Sequence, residues 1–137
     1  MIREITKQQA WQIRHEVMWP ERELEYVQLA DDDVGRHYGL FAADELLSVI
    51  SLFVHHNEGQ FRKFATRMAW QRQGHGSKLM AFIIAEAERH ALRRLYCNAR
   101  TEKAAFYERF GMHVTGESFR KGGKDYVIME RKWDDIV

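Results

Sequence analysis

A glycine turn between an apolar run and a helical pattern is the part of the sequence whose spacing most clearly suggests chemistry. The turn is the six-residue stretch Gln71-Arg72-Gln73-Gly74-His75-Gly76, and it joins the run from Phe61 to Trp70 to a helical pattern from Ser77 to Ala91. The first N–H groups of a helix lack partners within the helix, and the helix dipole adds partial positive charge there. Because glycine lets the backbone approach a phosphate closely, the pattern predicts an anion site.

Other phosphate-binding motifs fit this turn less well. A dinucleotide fingerprint requires a third glycine, but position 79 is leucine. A nucleoside-triphosphate loop requires Gly-Lys-Ser or Gly-Lys-Thr after four spacer residues, and the sequence contains neither. The alternative that the turn only caps a helix, with no ligand, stays open on the glycines alone.

The first half of the sequence predicts a strand, two helices and a three-strand meander. Thr6 followed by Gln9 is typical of a capping box, and the helix it starts should stop before Pro20. The predicted elements are a strand from Met1 to Ile5, this helix, a short helix from Glu21 to Leu29, a polar turn at Asp31-Asp32-Asp33, and strands His37 to Ala43, Leu46 to His55 and Gln60 to Trp70, with turns at Asp44-Glu45 and Asn57-Glu58-Gly59.

The second half alternates helices and strands. Apolar residues at helical spacing follow the glycine turn, and Gly111 is placed as the stop of a later helix. The predicted elements are helix Ser77 to Ala91, strand Arg94 to Asn98, helix Glu102 to Phe110, and strands Met112 to Phe119 and Asp125 to Trp133 around Lys121-Gly122-Gly123-Lys124. This order predicts an α+β fold with a mixed, mostly antiparallel central sheet flanked by helices.

Composition limits the classes of function. The 137 residues predict one domain, 1–137, and the net charge of +1 argues against a nucleic-acid or anionic-membrane partner. The single cysteine, Cys97, forms no intrachain disulfide, and the N-terminal residues lack the apolar stretch of a signal peptide, so we expect a cytoplasmic protein. The seven histidines show no ligand spacing, so we predict no metal.

The sequence around the turn resembles the GCN5-related N-acetyltransferase (GNAT) family. The family signature is Gln or Arg, two residues, Gly, one residue, and Gly or Ala, and Gln71, Gly74 and Gly76 meet it. Downstream, Phe106-Tyr107-Glu108 followed by Gly111 resembles the family's second motif, F-Y-E-x-x-G-F. The resemblance covers residues 1 to 133, is strongest from 61 to 112, and implies the acyl-CoA N-acyltransferase fold.

The resemblance implies acetyl-CoA as the co-substrate. Its pyrophosphate would bind the N–H groups from Arg72 to Ser77, with Arg72 or Lys78 as a nearby cation, and its pantetheine arm would pair with the backbone of Phe64 and Thr66 and contact Asn98. For Asn98, a plain strand-ending role stays open. The predicted cofactor-binding residues are Phe64, Thr66, Gln71, Arg72, Gln73, Gly74, His75, Gly76, Ser77, Lys78 and Asn98.

Tyr107 is the predicted catalytic residue. By resemblance, its hydroxyl would act as a general acid and protonate the departing thiolate of CoA. A packing role beside Phe106 and Phe110 is the alternative. The attacking amine also needs a base, because an ammonium ion has no lone pair. The candidates are His55, His56 and Glu58, and deprotonation through water stays open.

The predicted function is transfer of an acetyl group from acetyl-CoA to a primary amine by direct attack in a ternary complex. A non-catalytic acyl-CoA-binding regulatory module, and a phosphate-ester-binding enzyme without thioester chemistry, stay open, as does a homodimer. The acceptor cannot be identified from the sequence. Its pocket could be lined by Trp11, Trp19 and Tyr26, with carboxylates at Glu21, Glu23, Glu25 and Asp31 to Asp33.

Overall fold

The computed structural model describes residues 1–133 as alternating strands and helices. The four residues after Trp133, which belong to the predicted domain 1–137, lie outside the described residues. Within 1–133 the strands are β1 Ile2–Ile5, β2 Arg36–Ala42, β3 Glu45–His55, β4 Glu58–Thr66, β5 Arg94–Arg100, β6 His113–Lys121 and β7 Lys124–Lys132. The helices are α1 Lys7–Met18, α2 His75–Arg89 and α3 Ala104–Glu108, with 3-10 turns at Leu24–Val27, Met68–Trp70 and Thr101–Lys103.

The strands form a sheet in the order β1-β2-β3-β4-β5-β7-β6. β1 with β2, β2 with β3, β5 with β7 and β6 with β7 pair antiparallel, whereas β4 and β5 pair in parallel from Glu58–Arg94 to Gln60–Tyr96. The predicted mixed, mostly antiparallel sheet flanked by helices is confirmed. Across the described part of the chain, each helix is too short or too polar to cross a membrane.

The backbone contacts divide into two compact units, and the first contains Met1–Phe53 and Arg62–Ile83. Its core includes a cluster of Ile5, Ala10, Ile13, Phe41, Val49 and Ala65. The predicted capping box is present, because Thr6 accepts from the N–H of Gln9 at 3.1 Å and the Gln9 side chain accepts from the N–H of Thr6 at 2.9 Å. α1 therefore has a fixed start at the end of β1.

The second unit contains Val54–Phe61 and the described residues from Ile84 onward. Its buried side chains lie on one face of β5 and on neighbouring elements, and include Leu95, Cys97, Ala99, Met112 and Met129. The β6–β7 hairpin turns at Gly122 and Gly123, whose φ angles of 58° and 77° belong to the left-handed region that a tight hairpin requires.

Several predicted elements differ from the structure in extent. The segment predicted as a helix from Glu21 to Leu29 has only a 3-10 turn, because its single buried residue, Val27, gives it no apolar face to pack. The predicted third strand, 60–70, starts earlier and ends at Thr66, with a 3-10 turn at Met68–Trp70. The predicted strand 94–98 runs on to Arg100, and the predicted helix 102–110 is shortened to Ala104–Glu108.

Candidate functional site

The glycine turn is held by its own side chains and begins α2 two residues earlier than predicted. Arg72 and Gly74 have φ angles of 64° and 86°, so left-handed residues alternate along the turn. The Gln71 side chain donates to the carbonyl oxygen of Thr66 at 2.9 Å, and that of Gln73 donates to Ala69 at 3.3 Å. The two glutamines therefore shape the loop, and α2 starts at His75.

Most backbone N–H groups of this turn lack a hydrogen-bond acceptor within the described structure. The N–H of Lys78 is the first to join the helix, donating to the carbonyl oxygen of Gly74 at 3.2 Å. Among residues 1–133, the N–H groups from Arg72 to Ser77 have no acceptor. A Cβ placed on Gly74 would meet nothing within 4 Å. Successive free N–H groups in a turn of alternating conformation form an anion-binding concavity, and the start of α2 adds partial positive charge.

β4, which leads to the glycine turn, has a local distortion near its end. Lys63 has a φ of 55°, a left-handed conformation that interrupts the regular strand before Phe64. Ser48 of β3 then fixes the last residues, because its hydroxyl bonds the carbonyl oxygen of Ala65 at 3.0 Å and the hydroxyl of Thr66 at 2.7 Å. Phe64 and Thr66 are partly buried and remain predicted contacts for an extended ligand.

Tyr107 lies in an aromatic group of the second unit. Its ring centroid is 5.7 Å from that of Phe61 and 5.2 Å from that of Phe106, which in turn is 5.3 Å from Phe110. Gly111, at φ 81°, ends the helical turn, and Arg131 donates to the carbonyl oxygen of Phe110 at 2.9 Å. The predicted packing of Tyr107 is therefore present, and it fixes the direction of the ring.

Burial keeps both Tyr107 and Cys97 protonated. It raises the pKa of the Tyr107 hydroxyl well above its usual value, with a smaller contribution from the charge that Cys97 would carry as a thiolate. Burial also raises the pKa of Cys97 to about 12. A phenol that keeps its proton can donate a hydrogen bond to a developing anion, whereas a thiol with this pKa makes a poor nucleophile.

The candidate bases lie at the β3–β4 turn. His56 has a φ of 56°, and its ring centroid is 4.2 Å from that of His55. Glu58 is already paired, since its carboxylate accepts from Arg94 at 3.0 Å. Arg94 also donates to Glu130 at 2.6 Å, and although burial lowers the pKa of Arg94, the bonds to Glu130 and Glu58 raise it overall. Among the three, Glu58 has its carboxylate shared with a cation.

The remaining predicted residues fall into the same two units. Asn98 lies within β5 opposite Ile128 of β7 and is exposed, so it does not end the strand as predicted. Arg72 and Lys78 are exposed cations beside the glycine turn. Across residues 1–133, no three His, Cys, Asp or Glu side chains form a group able to hold a metal ion, and the absence of a metal remains a prediction. The structure thus collects the turn residues in the first unit and His55, His56, Glu58, Asn98 and Tyr107 in the second.

Two features of the structure had little or no sequence signal. A cavity of about 480 Å³ in the second unit is lined by charged side chains around the Arg94 ion pairs, together with Trp133. In the first unit, Arg14 and Asp32 are fully buried as an ion pair, although the sequence presents Asp32 as part of a polar turn and as a candidate carboxylate of the acceptor pocket. The sequence signal for this pair is Arg14 itself, because a charged residue on the apolar face of a predicted helix indicates a buried partner.

Comparisons with known proteins agree with this fold. The chain is 24% identical to the N-acetyltransferase YitI of Bacillus subtilis strain 168, over 93% of each chain. It resembles the crystal structure of Escherichia coli ElaA with a TM-score of 0.81 at 18% identity, covering 96% of this chain and 99% of ElaA. A GNAT family acetyltransferase from Elizabethkingia anophelis with acetyl-CoA bound matches with a TM-score of 0.75 at 16% identity, covering 97% of each chain.

The family comparison covers nearly the whole described chain. Residues 2–133 match the model of the acetyltransferase (GNAT) domain, which includes both the glycine turn and the Tyr107 element. The chain therefore belongs to the GNAT acetyltransferase family.

Proposed function

We propose that this protein transfers an acetyl group from acetyl-CoA to a primary amine. The observation that carries the proposal is the row of N–H groups from Arg72 to Ser77, which have no acceptor among the described residues. A pyrophosphate would satisfy these donors at the positive end of α2. The exposed side chains of Arg72 and Lys78 add charge for the phosphates. Family membership, and the Elizabethkingia relative with acetyl-CoA bound, support acetyl-CoA as the donor.

The reaction is a direct transfer within a ternary complex. The lone pair of the neutral amine attacks the thioester carbonyl carbon, and the resulting tetrahedral adduct collapses with breakage of the C–S bond. The amine nitrogen loses a proton and the CoA sulfur gains one, so no acyl-enzyme is needed. His56, His55 and water are the stronger candidates for the base, because the Glu58 carboxylate is held by Arg94.

Tyr107 acts on the leaving sulfur. An ordinary thiol has a pKa of about 8.5, so its thiolate is a weaker base than a tyrosinate whose pKa burial has raised. Tyr107 therefore lowers the barrier mainly by donating a hydrogen bond to sulfur as negative charge develops. Tyr107 thus acts as a general acid by donating this hydrogen bond, and the net proton reaches sulfur in the same step or a later one.

Substitution at Gly74 tests the pyrophosphate site. Gly74→Glu places a carboxylate among the N–H donors, and we expect the Kd for acetyl-CoA, measured by calorimetry, to rise about 100-fold or more. Gly123→Glu is the matched control, because Gly123 also has a positive φ and open space at its Cβ but lies in the β6–β7 turn. Equal affinity in Gly74→Glu and the wild type would contradict the site.

Removal of one hydroxyl tests the role of Tyr107. Tyr107→Phe keeps the contacts with Phe61 and Phe106, and we expect kcat to fall about 100-fold while acetyl-CoA affinity stays within about twofold. The assay follows thiol release with spermidine, lysine and a lysine-containing peptide as acceptors. Tyr126→Phe serves as control, since Tyr126 stacks on Phe119 in the hairpin. An unchanged kcat in Tyr107→Phe would remove its catalytic role.

Thiol release, calorimetry and thermal stabilisation distinguish the proposed acetyltransferase from its two alternatives. A regulatory module that only holds acyl-CoA would bind acetyl-CoA in calorimetry and release no thiol with any amine. A phosphate-ester-binding enzyme would instead show equal thermal stabilisation by ATP and by CoA. Transfer to at least one amine, with CoA stabilising more than ATP, is the expected result.

A further inference from the structure

A buried ion pair ties the segment after α1, Trp19–Asp31, to the rest of the first unit. The side chain of Arg14 on α1 is inaccessible to solvent, and Asp32 is 3% exposed. The guanidinium donates through both terminal nitrogens, with Nη1 at 2.8 Å from Oδ2 and Nη2 at 3.0 Å from Oδ1 of Asp32. This two-point contact sets both the distance and the angle between α1 and the turn that precedes β2.

Further hydrogen bonds extend the pair to the segment's backbone. Arg14 donates to the carbonyl oxygen of Val27 at 2.9 Å, and the N–H of Leu29 donates to Asp32 at 2.8 Å. The indole N–H of Trp11 donates to the same carboxylate at 2.8 Å, so Trp11 supports Asp32 rather than only lining a surface. Two backbone groups of the segment are thereby held by one ion pair.

Two strand residues complete the network. Ser51 of β3 accepts from Arg14 at 2.9 Å and contacts His37 Nδ1 at 2.7 Å. Because the carbonyl oxygen of Asp32 can only accept, the His37 Nε2–H donates to it at 3.0 Å, and in the neutral ring Nδ1 then accepts from the Ser51 hydroxyl. The network thus connects α1, β2 and β3 through polar groups that are all buried.

The segment held in this way has almost no core of its own. Between Pro20 and Ala30, only Val27 is buried. At its surface, the rings of Trp19 and Tyr26 meet edge to face at 5.2 Å, and the guanidinium of Arg22 lies 4.7 Å from the Tyr26 ring centroid. The Tyr26 face therefore already accommodates a cation, and the same segment carries exposed carboxylates at Glu21, Glu23 and Glu25.

Stability alone gives a weak reason for a buried ion pair, because well-packed apolar side chains stabilise a core as well or better. Directed hydrogen bonds to Val27 and Leu29 do what apolar packing cannot, since they fix the orientation of particular backbone groups. We propose that Arg14 and Asp32 are positioning residues that hold the segment Trp19–Asp31 in the shape that receives a cationic amine acceptor. This inference rests on the proposed acetyltransferase function.

Hydrogen–deuterium exchange on the full chain with acetyl-CoA present tests the positioning. At labelling times too short for exchange through global unfolding, we expect amides of residues 19–31 in Asp32→Asn to exchange about tenfold faster or more, while amides of α2 keep their protection. Asp33→Asn is the matched control, because Asp33 is exposed and pairs with Lys7 at the surface. Trp11→Phe removes one bond to Asp32 and keeps an aromatic ring, so it gives a smaller effect of the same kind if Asp32→Asn fails to fold.

Steady-state kinetics with spermidine, lysine and a lysine-containing peptide test the consequence. For whichever of these the wild type acetylates, Asp32→Asn or Trp11→Phe should raise the acceptor KM, by about tenfold in Asp32→Asn, with kcat and the acetyl-CoA KM nearly unchanged. An unchanged acceptor KM, or faster exchange that at these short labelling times is spread evenly over the described residues, would overturn the positioning role. Failure of the proposed function itself would differ, because the wild type would then acetylate none of these amines.

Discussion

At the scale of single residues, the site depends on environments that the side chains acquire only in the fold. The signature Gln71, Gly74 and Gly76 located the turn, and the structure gives Gly74 the left-handed φ that favours glycine. Arg72 and Lys63 also adopt left-handed φ angles, and no property of arginine or lysine predicts this. The sequence therefore identifies a turn through its glycines, whereas strained non-glycine positions become visible only in coordinates.

The raised pKa of Tyr107 predicts the shape of the pH–rate profile. Tyr107 must be protonated to donate to sulfur, and its pKa lies above the ordinary value of about 10. We therefore expect no loss of kcat from its ionisation between pH 7 and pH 10. The measurement is kcat across this range for the wild type and Tyr107→Phe. An alkaline fall with a midpoint below pH 10 that is absent in Tyr107→Phe would contradict the prediction.

At the scale of elements, a specific capping signal placed the start of α1, whereas apolar patterns placed strand ends poorly. The Thr6 and Gln9 spacing predicted the capping box that the structure contains. The strand predicted as far as Trp70 ends at Thr66 instead, because the apolar pattern of Met68, Ala69 and Trp70 does not reveal that Trp70 donates to the carbonyl oxygen of Arg67. Apolar composition alone does not distinguish an extended run from a 3-10 turn.

The capping box gives a prediction for α1. Thr6→Ala removes the acceptor for the N–H of Gln9, and we expect it to lower the free energy of unfolding by about 1 kcal/mol. Gln9→Ala should cost less, and the double variant should lose less than the two single variants together, because the bonds are reciprocal. Urea unfolding measures all three. Thr101→Ala is the control, since a side-chain cap is absent at the 3-10 turn beginning there. Additive losses would contradict the box.

At the scale of the whole molecule, the missed feature is a contact between distant parts of the sequence. Three consecutive aspartates, residues 31 to 33, read as one solvated turn, yet only Asp32 is buried. Its partner Arg14 lies 18 residues away, and Ser51, which also binds Arg14, lies 37 residues from it. Neither separation corresponds to a helical or strand period, so local patterns could not have predicted the pair. The order of elements along the sequence, by contrast, predicted the mixed sheet, and the family resemblance implied the same fold.

The buried Asp32 makes the free energy of unfolding depend on pH in the acidic range. Burial alone would raise the pKa of Asp32, but hydrogen bonds from Arg14, Trp11 and Leu29 and the charge of Arg14 lower it from 3.8 to about 2. A lowered pKa contributes stability that is present above the ordinary value and lost as pH falls through the folded-state value. We therefore expect about 2 kcal/mol of unfolding free energy to disappear between about pH 5 and pH 1 through Asp32.

Asp32→Asn and Asp33→Asn separate this contribution from general acid effects. Asp32→Asn leaves the buried Arg14 without its counter-charge, and we expect a loss of about 3–5 kcal/mol at pH 7 and a flatter dependence on pH below 5. Asp33 is exposed, so Asp33→Asn should change stability by less than about 1 kcal/mol and keep the wild-type acid slope. Urea unfolding at several pH values measures both. Equal losses in the two variants, or the wild-type acid slope retained in Asp32→Asn, would show that the buried pair does not control stability in acid.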